Sequence, residues 1–182
     1  MKIFLIGYMG SGKSTVGKQL AEQLAMPLLD TDEMLGAKYG SEISAIFDTM
    51  GEIAFREAEH ELLLKIIADP ANAMVATGGG LPCFYNNMNL MKQSGITVYL
   101  KLTPDLLYER LCEETAKRPL LAKVVDLKWH IIESIEHREK KYRQAAFKIN
   151  IEQHTTVNKI CSEAMQQISK QLLRKKYHAE TT

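Results

Sequence analysis

Short runs of consecutive apolar residues alternate along the chain with longer stretches in which apolar positions recur every three or four residues. The short runs predict strands at 2–6, 27–30, 73–77, 97–102 and 148–151. A strand covered by helices on both faces reads as a nearly unbroken apolar run, and 2–6 and 97–102 have that character. The 148–151 run is polar enough to predict an edge strand. Helical spacing predicts helices at 13–25, 52–68, 127–146 and 156–173, and another that begins at Pro104 with Thr103 as its N-cap. Within 52–68 the apolar positions are Phe55, Leu62, Leu63, Ile66 and Ile67. Strand alternating with helix predicts βαβ units and a parallel sheet. Two segments, 31–50 and 113–123, interrupt this alternation, and are expected to be substrate-binding and moving elements over a site. From 174 onward the chain is polar and predicts a frayed tail.

The bulk numbers narrow the class. At 182 residues, 46% apolar and 25% charged, the chain is sized and balanced for one globular domain with a real core. A net charge of +1 gives no basis for nucleic acid or an anionic membrane as partner. No apolar run reaches bilayer-spanning length, and the run at 2–6 stops at Gly7, so it reads as a buried strand rather than a signal peptide. Cys83, Cys112 and Cys161 are odd in number, widely spaced and without a CxxC pair. They predict neither a disulfide framework nor a zinc site, and suit a reducing cytoplasm. With no sizeable apolar face left over, a monomer is expected.

The strongest chemical signal follows the first strand. Gly7-Tyr8-Met9-Gly10-Ser11-Gly12-Lys13-Ser14 matches G-x-x-x-x-G-K-[ST], with an apolar strand before it and a helix after it. Phosphate oxygens need many donors close together, and backbone N–H groups supply them where glycine lets the chain bend tightly around the anion. The free N–H groups at a helix start add to the cradle. Lys13 is placed to reach the outer phosphates, and the Ser14 hydroxyl to ligate Mg²⁺.

A phosphate cradle alone does not separate a kinase from a GTPase or an ATPase. No Asn-Lys-x-Asp segment is present to select guanine, and the strand at 73–77 ends in Thr77 rather than a metal-supporting Asp. Asp30-Thr31-Asp32, at the end of the second strand, is the obvious source of acid. If that segment stayed extended, the two carboxylates would point the same way and could divide the work between metal and acceptor hydroxyl. Gly78-Gly79-Gly80 exposes backbone after the third strand. Arg56 falls within a helix, with Glu59 at i+3 and His60 at i+4 on the same face. Taken singly, Arg56 and Arg138 read as solvated helix residues.

Taken together, the phosphate cradle, Asp30-Thr31-Asp32, Phe55-Arg56-Glu57-x-Glu59, Gly78-Gly79-Gly80, Arg118-Pro119-Leu120-Leu121 and Arg138 four residues before Tyr142 resemble bacterial shikimate kinases, from Met1 to the final helix. The resemblance implies an α/β P-loop NTPase fold with a five-stranded parallel sheet flanked by helices. It implies one kinase domain over 1–173, a substrate-binding segment at about 31–60 and a lid at about 112–124. ATP and Mg²⁺ would be used, with shikimate as acceptor. Gly10, Ser11, Gly12, Lys13, Ser14 and Thr15 would hold the nucleotide, with Arg110 on the adenine side. Ser14 and Asp30 would serve the metal. Arg56 and Arg138 would grip the acceptor carboxylate, beside Gly78, Gly79 and Gly80. Asp32 would orient the attacking hydroxyl, and Arg118 would close over the transferring phosphate alongside Lys13. Asn150, the acidic segment 113–117 and a long tail after Gln171 depart from the usual pattern. A gluconate or nucleoside monophosphate kinase, and a nucleotide-binding module without turnover, are the alternatives.

Overall fold

Every residue of β1 (Lys2–Ile6) is buried, and its side chains alternate between two cores. Ile3 and Leu5 enter one cluster, and Phe4 and Ile6 the other. This is the signature of a central strand clad on both faces, and it explains why the sequence shows no polar alternation there. The computed structural model describes residues 1–114 and 125–180.

After β1 come α1 (Lys13–Gln23), β2 (Leu28–Asp30), α2 (Thr31–Tyr39) and α3 (Ile43–Ala68). The chain continues through β3 (Ala73–Ala76), a 3₁₀ turn at Leu81–Cys83, α4 (Asn87–Ser94), β4 (Gly95–Leu102) and α5 (Pro104–Glu114). It closes with α6 (Leu127–Tyr142), β5 (Phe147–Ile151) and α7 (Val157–Glu180). The five strands are all parallel, in the order β2-β3-β1-β4-β5. β5 is an edge, as its polar composition predicts, and β2 is the other. One core lies between the sheet and α1, α5 and α7, and contains Val16, Leu20, Leu107, Leu111, Ile160 and Ala164. The opposite core holds Leu63 and Ile66 of α3, Met88 and Met91 of α4, and Tyr142 of α6. A small third cluster, Leu35, Ile46, Phe55 and Ala58, packs α2 against α3.

Several predicted boundaries change. Residues 31–50, expected as a segment interrupting the alternation, are mostly helical: α2 begins directly at the end of β2, and after a break at 40–42 α3 begins at Ile43. Gly51 (φ 78°, ψ 165°) breaks α3, so the predicted helix at 52–68 is its second half. The predicted tail is helical through Glu180, because the sequence beyond 173 contains no glycine or proline to stop α7. The first helix ends two residues earlier than predicted, at Gln23, and α6 ends at Tyr142. The predicted lid at 112–124 lies outside the described residues except for the end of α5.

Candidate active site

The loop between β1 and α1 closes around a cavity of about 380 Å³ at the carboxyl ends of the strands. Gly10, Gly12, Lys13, Ser14 and Thr15 line one side of it, Asp30, Asp32 and Gly79 the other, with Arg110 at the margin. Gly12 sits at φ 87° as the residue before α1, a conformation that costs an L side chain and leaves the helix's first N–H groups facing the cavity. Lys13 Nζ folds back over the loop and donates to the carbonyls of Gly7 (3.0 Å) and Tyr8 (2.8 Å). Arg110 reaches in from α5 and donates to the Gly10 carbonyl at 3.3 Å. Ser11 is buried, its N–H donating to the Tyr8 carbonyl and its hydroxyl accepting from Lys13 at 3.4 Å.

The acidic pair is arranged differently from the extended segment expected at 30–32. Asp30 ends β2 and caps α2, its Oδ1 accepting from the N–H groups of Asp32 (3.0 Å) and Glu33 (3.4 Å). Its Oδ2 accepts from the Ser14 hydroxyl at 2.6 Å. Asp32 therefore lies in the first turn of a helix, yet both carboxylates still line the cavity. The Ser14–Asp30 pair is an all-oxygen donor set suited to Mg²⁺. Among the described residues no group of three or more Asp, Glu, His or Cys could hold a metal alone. Mg²⁺ keeps several waters and takes further ligands from phosphate oxygens, so a site with one or two protein oxygens is enough for it.

Beyond Asp32 and Gly79 the cavity adjoins a second cluster. Arg56, on α3, donates through Nη1 to Glu59 at 2.7 Å. Glu59 is buried, and that burial pushes its carboxyl up to about 7 despite the facing Arg56 guanidinium. Asp32 adds to the rise, while Arg138 on α6 opposes it, so all four charged groups share one field. Arg138 lies over the Tyr8 ring, 5.3 Å from its centre. A side chain at Gly80 would collide with the Arg56 guanidinium, so only glycine allows the close approach. Tyr142, fully buried, donates its hydroxyl to the Gly79 carbonyl at 2.6 Å, and burial pushes its own pKa up.

The structure thus brings together Lys13, Ser14, Thr15, Asp30, Asp32, Gly79 and Arg110 on the cavity, and Arg56, Gly78, Gly80 and Arg138 beside it. Arg118 falls outside the described residues. Glu59 and Tyr142 emerge as parts of the site that sequence reasoning had treated only as neighbours of arginines. The i+3 spacing of Glu59 from Arg56 was a signal for the pair, but not for its burial.

A parallel sheet whose first strand runs through a glycine cradle into a helix, with an acidic segment at the end of the second strand, is the P-loop kinase fold. Residues 9–169 match the family model described as shikimate kinase. A curated shikimate kinase from Azobacteroides pseudotrichonymphae is 44% identical over 169 residues, covering 92% of this chain and 99% of that one. The structure of a shikimate kinase from Acinetobacter baumannii in complex with shikimate superposes with a TM-score of 0.86 at 33% identity, covering 93% of each chain. The chain belongs to the shikimate kinase family. A gluconokinase from Sinorhizobium meliloti shares the fold alone, at a TM-score of 0.59 and 13% identity, over 97% of this chain and 96% of that one.

Proposed function

We propose that this chain transfers the terminal phosphoryl group of ATP to the 3-hydroxyl of shikimate, giving shikimate 3-phosphate and ADP on the route to chorismate and the aromatic amino acids. The observation that carries the reading is the adjacency of the two clusters. A phosphate cradle opens, through Asp32 and Gly79, onto a wall bearing Arg56 and Arg138. Such a wall recognises an acid that also carries hydroxyls.

Each residue then has a task. Arg56 and Arg138 bind the acceptor's carboxylate, and Gly79 and Gly80 let its ring lie against the backbone. Asp32 accepts a hydrogen bond from the attacking hydroxyl and aligns it with the γ-phosphorus. A new P–O bond forms as the bridge to the β-phosphate breaks, and the hydroxyl proton leaves toward Asp32 or solvent. In a loose transition state charge spreads over the equatorial oxygens, so most of the catalysis is alignment and neutralisation. Lys13 leaves its loop carbonyls for the phosphate oxygens. Ser14 and Asp30 would hold Mg²⁺, which when bound neutralises the β- and γ-phosphates. Arg110 packs on the adenine side, and Arg118 closes over the phosphate to exclude water.

No described helix is long and apolar enough to cross a membrane. A cytoplasmic monomer completes the reading; the three cysteines, odd in number and widely spaced along the chain, suit a reducing compartment.

The test is ADP release with shikimate, with gluconate and without acceptor. Shikimate-dependent release is expected. Equal release in all three, or release driven by gluconate instead, would overturn the assignment.

A further inference from the structure

Behind Arg56 stands a group of side chains that does not line the cavity. Arg56 Cζ lies over the ring of Phe84, in the segment after the three glycines, 4.3 Å from its centre, nearer than the rings of Phe55 (5.4 Å) and Phe47 (5.6 Å). A guanidinium carries all its donors in its plane. A ring placed over it therefore limits its tilt without consuming any donor, while Glu59 and Glu52 take part of the edge.

Phe84 is itself held by a closed circuit. The Cys83 N–H donates to the Gly80 carbonyl at 2.8 Å, and the Asn87 N–H to the Phe84 carbonyl at 3.3 Å. The Asn87 side chain is fully buried, and its amide donates to the Leu81 carbonyl at 2.9 Å. That bond turns Asn87 Oδ1 toward His60, whose Nδ1 is 2.6 Å away and must therefore carry the proton. Tyr85 stacks on the His60 ring at 4.9 Å. His60 is one helical turn after Arg56 on α3, so the circuit returns to the element it left.

We infer that Phe84 and the buried Asn87–His60 pair are positioning residues for Arg56, bracing its guanidinium in the plane that a planar carboxylate requires. They touch neither substrate, and they act by setting the direction of Arg56. The inference rests on the assignment of Arg56 to the acceptor carboxylate.

Steady-state kinetics on four variants and one control test it. Phe84→Leu is expected to raise the KM for shikimate about five- to tenfold while leaving kcat and the KM for ATP within about twofold. Phe84→Tyr keeps the ring face and should behave as the parent protein. His60→Ala should shift the same KM, and His60→Asn, which retains a donor near the Nδ1 position, should recover most of it. A shikimate KM unmoved by Phe84→Leu, or one that rises with the ATP KM and a falling Tm, overturns the inference. Should His60→Ala fail to fold, the Phe84 pair decides alone, since that side chain is only half-buried. Arg56→Lys separates the two levels. If it raises the shikimate KM while the Phe84 and His60 variants are silent, only the brace is wrong. If it too is silent, the assignment of Arg56 falls as well.

Discussion

The carboxylates of Asp32 and Glu59 converge on one piece of backbone: a Cβ at Gly78 would lie 2.6 Å from Asp32 Oδ1 and 2.8 Å from Glu59 Oε1. One of these acids comes from the first turn of α2 and the other from the middle of α3. Their meeting ties the acceptor wall to the phosphate cradle.

That meeting has a pH signature. Glu59 is raised from 4.5 to about 7 in the folded protein, mainly by burial, so the folded state binds its proton more tightly than the unfolded state. Its contribution to stability is full below the unfolded value and is lost as pH rises through about 7, a change of about 3 kcal/mol. Glu59→Gln should flatten the fall in stability between pH 4.5 and 7, read from urea midpoints across that range. A variant whose slope matches the parent's would show that Glu59 is ionised throughout.

Arg56→Ala should abolish productive use of shikimate while leaving ATP affinity within about threefold, because its ion-pair partners Glu59 and Glu52 are on its own helix α3 and not in the phosphate loop. Calorimetric titration with nucleotide and turnover with shikimate separate the two effects. Loss of both together would mean that the guanidinium supports the nucleotide side.

Gly80→Ala places a methyl group against the Arg56 guanidinium. The KM for shikimate should rise at least about tenfold with little change in the KM for ATP, since a displaced guanidinium loses its paired donation to carboxylate. Equal changes in both constants would locate the damage elsewhere.

Lys13→Met should lower kcat by about 10²- to 10³-fold, the usual cost of removing one donor aimed at developing charge. The fold should survive, as the ammonium's bonds to Gly7, Tyr8 and Ser11 stay within its own loop. Circular dichroism beside the kinetics checks this.

Asp30→Ala removes a helix cap and the acceptor for Ser14 at once. Stability should fall by about 1 kcal/mol, as for other caps. The Mg²⁺ concentration giving half-maximal rate should rise. A stability loss with unchanged Mg²⁺ dependence would confine Asp30 to capping.

The strands and the phosphate loop were readable in the sequence because both are written locally. A doubly covered strand shows as a solid apolar run, and a cradle needs glycine, lysine and serine at set intervals. α2 was not readable: among its nine residues only Thr31 and Leu35 are buried, too few to print a helical stripe. The helix is set by Asp30, whose capping bonds look in sequence like an extended pair. Arg56 read as a surface residue, yet its side chain is only 11% exposed. The cover comes in part from Phe84, twenty-eight positions further along, which no local pattern discloses. Tyr142 likewise gains its meaning only from a bond to Gly79 on another element.

β1 and β3 are immediate neighbours in the sheet, running side by side from Lys2 with Ala73 to Leu5 with Ala76. The strand that feeds the phosphate loop and the strand that feeds the three glycines are thus two planks of one floor, about 4.8 Å apart. The span between phosphorus and acceptor is therefore gauged by the stiffest part of the molecule. Helices can drift above that floor and be remodelled for a differently shaped guest, while the reach of the transfer itself stays the same.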